Sequence, residues 1–234
     1  MTVPPPDKQG RLGALRARYE PQLASLRGSD TAKAAGLAGA MITNNVIALI
    51  ATVVFARLLS DYGALAALIS YFLILSVAGQ ALQVATAREG VLGHLGVGPG
   101  LIATLKAWTR SMVVFTAILT VISILLRDPI AQAVGVKKDQ WAAAIGLPAG
   151  CLWLELSILR GALQGVSNYK GVGFSLVGEQ AVRLVSGAVL AVALGVTGAY
   201  LASLVSYVAM TVYCVVLLRR YAENYEGTAP AAAA

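Results

Sequence analysis

Long apolar runs, each near 20 residues, alternate with short polar links along most of this chain. The first covers about 34–56 and carries Asn44 and Asn45 in its middle, and the second, about 62–87, holds Gln80 and Gln83. A third is unbroken over 111–126 and starts near Lys106. The fourth, about 140–159, is interrupted by Pro148 and contains Glu155. A fifth, about 173–196, contains Glu179 and Arg183, and the sixth, about 199–218, has no charge at all. A hydrocarbon core about 30 Å thick takes roughly 20 apolar residues per helix. The pattern therefore predicts an all-α integral membrane protein, a bundle of about six transmembrane helices.

The links are short with one exception. Residues 89–100 include Gly90, Gly93, Gly96, Gly98, Pro99 and Gly100, which predicts a flexible turn. No Gly-Lys-Ser/Thr follows and no strand precedes it, so a phosphate-binding loop does not fit. His94 in this link has no partner at ligand spacing and reads as a solvated interfacial residue rather than a metal ligand.

Residues 1–33 form a basic tail with no apolar stretch of the kind a secretory signal needs, so the first span is expected to act as its own insertion signal. Leu12, Leu15, Tyr19, Leu23 and Leu26 recur at helical spacing among Arg11, Arg16, Arg18 and Arg27. That pattern fits a basic amphipathic helix on anionic lipid. Pro21 interrupts it and keeps a disordered tail open as the alternative. Residues 34–220 then make one six-span domain, and 221–234, ending in alanines, read as a second disordered tail.

Composition agrees with the membrane class. Hydrophobic residues make up 58% of the chain and charged ones only 12%, about half the share of an average soluble domain. The formal net charge is +7, but no basic run is interleaved with aromatics, which excludes nucleic acid as the expected partner. Cys151 and Cys214 stand alone in apolar surroundings and read as small hydrophobes. With spans alternating in direction, fourteen of the 18 lysines and arginines fall on the side of the termini. The other four are Arg57, Arg127, Lys137 and Lys138. The positive-inside rule then puts both termini in the cytoplasm.

Charges inside spans carry the functional signal, since each costs roughly 2.5–3.5 kcal/mol at mid-bilayer and usually faces protein or a wet cavity. Glu179 and Arg183 are four apart and share a helix face. Glu155 and Arg160 are five apart, roughly 140° around their helix, and are expected to approach that pair from the preceding antiparallel span. Asn44, Asn45, Gln80, Gln83, Gln164 and Gln180 extend this into a polar track or serve as packing glue between helices. Gly146 with Gly150, and Gly161 with Gly165, are GxxxG pairs for close helix packing, and Pro148 beside the first predicts a kink. Enzyme chemistry finds no support: the lone His is in a link, no Lys lies at mid-span to activate a serine, and neither a metal site nor a cofactor is implied.

Two stretches resemble a known family. Ala56-Arg57-Leu58-Leu59 followed by Tyr62-Gly63 is similar to the A-R-x-L…Y-G junction after the first helix of the polysaccharide and O-antigen flippases. Arg160-Gly161-Ala162-Leu163-Gln164-Gly165 followed by Tyr169 is similar to their R-G-x-L-Q-G…Y segment after the fourth helix. These flippases belong to the multidrug/oligosaccharidyl-lipid/polysaccharide exporter superfamily. The resemblance implies a transporter that moves lipid-linked oligosaccharides across a bacterial-type cytoplasmic (inner) membrane by alternating access. It carries Arg57 and Arg160 over as cavity residues; Arg183 joins them from its depth alone. Ser60-Asp61 is a shorter link than the family's, and six spans match only an N-terminal six-helix lobe. A homodimer or a second-lobe partner is therefore expected. A non-transporting accessory or truncated remnant in polysaccharide biosynthesis, and a multidrug/cation antiporter-like lobe, are the alternatives.

Overall fold

A computed structural model describes residues 30–226 of the chain. They form α1 (Asp30–Leu58), α2 (Tyr62–Val91), α3 (Pro99–Leu125), a short α4 (Arg127–Val134), α5 (Gln140–Gly165) and α6 (Tyr169–Glu226). Five of these helices are long and apolar enough to cross a membrane. The last supplies two crossings because it folds back at Gly195, whose φ of 59° and ψ of −137° suit only glycine. Beyond it the chain returns antiparallel: Gly187 lies against Ala202, Gly178 against Met210 and Gly171 against Leu217. The two arms of α6 are 169–194 and 196–226. The protein is thus a multi-pass, all-α membrane bundle.

The ends sort as the alternation requires. Gly90 abuts Gly165 and Gly98 abuts Tyr225, while Lys33 and Tyr169 line one recess. The start of α1, the α2–α3 and α5–α6 links and the end of α6 therefore share one end of the bundle. Asp61, Gly135, Lys138 and Asp139 share a recess at the other.

Several boundaries differ from expectation. α3 starts at Pro99 instead of near Lys106, because proline at the first helical position lacks only an N–H that would be unbonded anyway. The glycine-rich link shrinks to residues 92–98. Residues 127–134, expected as a link, form α4, which buries Ala131 and packs Ile130 and Val134 on the core. Gly135 ends it in the left-handed conformation at φ 83°. Residues 221–226 continue α6 rather than opening a disordered tail. The rest of that tail, and the basic pattern within 1–29, lie outside the described residues.

At the α1–α2 link, the Asp61 carboxylate caps α2 by accepting from the Ala64 N–H at 3.1 Å. Asn168 caps α6 in the same way, accepting from the Gly171 N–H at 3.0 Å. Both satisfy a backbone donor that a helix start leaves open.

α5 is the axis of the bundle, packed against α2, α3, α4 and α6. Its glycines let α2 come close. Gly146 sits under Tyr71, and a Cβ on Gly161 would lie 2.5 Å from the Gln83 carbonyl oxygen. Gly165 meets Gly90 backbone to backbone. Pro148 is buried within α5, and the helix runs through it. Proline cannot donate to the Ala144 carbonyl one turn back. The Ser123 hydroxyl, wholly buried on α3, donates to that oxygen at 2.7 Å. A side chain from a neighbouring helix thus satisfies the backbone group, as the bilayer interior demands.

Candidate functional site

The charged residues converge where the last turns of α5 face the first arm of α6. Arg160 has a side chain with 0% exposure. Its Nη2 donates to Glu179 Oε2 at 2.9 Å and to the Ser175 carbonyl at 2.9 Å, and its Nε donates to Ser175 Oγ at 2.8 Å. One turn further along α6, Arg183 Nη2 donates to the other Glu179 oxygen at 2.6 Å and to Tyr207 Oη at 2.9 Å. Glu179 therefore bridges two guanidinium groups, one from each helix, while Tyr207 ties in the second arm of α6.

An aromatic group closes over these charges. Phe72 of α2 stacks on Tyr207 with centroids 5.7 Å apart, and Trp153 of α5 lies 5.6 Å from Tyr207. The guanidinium carbon of Arg160 is 5.6 Å from the Trp153 ring, and that of Arg183 is 5.2 Å from the Tyr207 ring. Both distances suit cation–π attraction, which strengthens away from water.

Two cations against one carboxylate leave the cluster with a net positive charge when all three ionise. Arg160 Nη1 and Arg183 Nε have no hydrogen-bond partner. The two arginines differ in access: the Arg183 side chain is 23% exposed, against none for Arg160. The arrangement can hold an anion through Arg183 while Arg160 is committed to the fold.

Glu155 does not join this cluster. The 140° that separates it from Arg160 turns it toward α3, where the Thr109 hydroxyl donates to Oε1. Its Oε2 is buried without a partner. Arg57 lies apart too, exposed in the last turn of α1 at the opposite end of the bundle. A cation there complements the helix C-terminus. Asn44 is half-buried and Asn45 exposed on α1, and no hydrogen bond joins either to the cluster. Gln80 is exposed, while Gln83, Gln164 and Gln180 are half-buried. They are dispersed over three helices.

Ser175, Tyr207, Ser123 and Thr109 are the residues that sequence reasoning missed. A hydroxyl on an apolar helix looks alike whether it bonds its own backbone or a neighbour, so only the fold separates them. Cys151 and Cys214 are free and buried. His94 Nδ1 is 2.7 Å from Glu89 Oε2, and both are exposed.

A recess of about 520 Å³ lies between the start of α1 and the start of α6. Lys33, Asn168, Tyr169 and Lys170 line it; Arg160, Glu179 and Arg183 do not. No protein-family model, curated protein or solved structure matches the chain.

Proposed function

We propose that this bundle is one lobe of a transporter for lipid-linked oligosaccharides, with Arg183 receiving the negative charge of the pyrophosphate. The observation that carries this is the positively biased cluster of Arg160, Glu179 and Arg183. A structural ion pair needs one cation per carboxylate; the second guanidinium, partly exposed, is surplus to that need. Guanidinium matches phosphate oxygens in geometry and stays charged when partly desolvated. The Arg160-to-Tyr169 motif adds the family resemblance to this chemistry. The lobe works with a second six-helix bundle, in another copy of this chain, a partner chain or a continuation of the same polypeptide. Alternating access by rocking needs two bodies. The setting is a cytoplasmic membrane with both termini inside.

Export of lipid-linked sugar by Arg183→Ala and Arg183→Lys variants tests this. The alanine variant is expected to lose export at least tenfold while its thermal melt in detergent stays close to wild type, and lysine to restore part of it. Undiminished export by Arg183→Ala would remove the proposal.

A second reading has its own support in the complete burial of Arg160, whose bonds all stay within the fold. On that reading the cluster only latches α5 to α6 in a non-transporting component. Loss of stability without loss of export would favour it. A cation-coupled antiporter lobe would instead rest on Glu155, whose second carboxylate oxygen is buried without a partner.

A further inference from the structure

A groove of about 260 Å³ runs between α3, α5 and the second arm of α6, away from the charged cluster. Its floor is Ile102, Leu105, Leu159, Val215 and Leu218, with Leu105, Leu159 and Leu218 buried. Lys106, Arg110 and Arg219 stand around it, all exposed. No ion pair engages them among the described residues. The only other polar side chain lining it among the described residues is Thr109, whose hydroxyl is already given to Glu155. The floor therefore offers a ligand no polar partner, and the edge offers three cations.

Their depth fixes the setting. In α3 no charge follows Arg110, and in the second arm none precedes Arg219. The 23 uncharged residues of 196–218 rise roughly 34 Å at 1.5 Å per residue, enough for a hydrocarbon core of about 30 Å. Arg219 thus lies at the boundary between hydrocarbon and headgroups on the side of the termini. Lys106 and Arg110, one turn apart on α3, flank the same groove.

We infer that this groove holds an anionic glycerophospholipid of the terminus-side leaflet, its acyl chain on the apolar floor and its phosphate among Lys106, Arg110 and Arg219. A zwitterionic lipid carries its own cation into that cluster and is disfavoured. Each basic residue near an anionic surface is worth about fivefold in binding, so three together set the preference.

The full chain, purified in detergent, is titrated with phosphatidylglycerol or phosphatidylcholine and bound lipid is read by native mass spectrometry. Phosphatidylglycerol is expected to bind at least tenfold more tightly. The triple variant Lys106→Gln, Arg110→Gln, Arg219→Gln is expected to lose that preference. Arg57→Gln with Lys137→Gln and Lys138→Gln removes the same charge at the far end and is expected to keep it. Val215→Trp fills the groove without touching charge and is expected to weaken phosphatidylglycerol by severalfold. Equal binding of the two lipids, or equal loss in both triple variants, would overturn the inference. So would a Val215→Trp protein that binds as wild type does.

Discussion

α1 and α5 are both apolar helices long enough to span a bilayer, yet they occupy opposite situations. In the most apolar window of α5, 72% of residues are buried inside the bundle, against 6% for α1. Among the described residues α1 has one substantial neighbour, α6, whereas α5 touches four helices. Between helices in lipid, apolar surface supplies no preference for the interior, because the surroundings are equally apolar. What centres α5 is close approach and polar bonding. Gly161 and Gly165 sit against α2, and Arg160 bonds into α6. A Cβ on Gly36 or Gly39 of α1 would meet nothing within 4 Å among the described residues. Glycine content by itself says little; a glycine matters where another backbone fills its vacancy.

The largest expected effect comes from the bond between α5 and α6. Glu179→Gln leaves Arg160 buried with no opposing charge, which costs about 3–5 kcal/mol. A chemical unfolding titration in detergent should show it as a large drop in midpoint. The α1 counterpart, Asn45→Ala, changes an exposed side chain and should stay within about 0.5 kcal/mol. Comparable losses in the two variants would erase the contrast between the helices.

Close approach gives the next test. Gly161→Ala places a methyl against the Gln83 carbonyl and Thr86. That overpacking costs about 1–3 kcal/mol and should lower the melting temperature. Gly39→Ala meets nothing within 4 Å among the described residues and should be neutral or gain up to about 1 kcal/mol from helix propensity. A destabilised Gly39→Ala would mean that α1 has a packing partner on that face.

The helices themselves, and part of what holds α5 in place, were legible in the sequence. The spans followed from hydropathy, and the Glu179–Arg183 pair from its four-residue spacing, because both depend on a single helix. Arg160 could be brought near Glu179 by the antiparallel order of α5 and α6. Its contact with Ser175 could not, since that depends on how the two helices are rotated. The same rotation sent Glu155 to Thr109 on α3. Hydropathy also gave no warning that α1 is peripheral, since the window scores apolarity and not neighbours. α4 was missed because its eight residues are too short for a span. The start of α3 at Pro99 had a readable signal, a proline preceded by glycine, that the glycine-rich composition around it masked.

The repair at Pro148 sharpens the same point at smaller energy. Ser123→Ala leaves the Ala144 carbonyl buried without its donor, at about 1–3 kcal/mol. Adding Pro148→Ala supplies a backbone N–H to that oxygen. The double variant should therefore recover most of the loss, and a cycle of the four proteins should show coupling of about 0.5–3 kcal/mol. Additive effects would mean that Ser123 does not serve the proline.

The smallest effect lies at the watery start of α5. Partial burial raises the Asp139 carboxyl above the ordinary aspartate range; nearby Asp61 adds to the rise, and Lys138 opposes it. A carboxyl whose folded pKa is raised binds its proton more readily in the folded chain, so its contribution favours the fold at low pH. That contribution is lost as pH climbs through the raised folded value. As pH rises above the ordinary aspartate range, wild type should lose a small increment of stability that Asp139→Asn does not lose. The size should be modest because water reaches the site, as it does not reach Arg160. Asp139 stands at the start of α5 and Arg160 near its end, so a small effect at one and a large effect at the other would place the cause in burial, not in helix identity. A pH effect at Asp139 as large as the loss in Glu179→Gln would overturn that explanation.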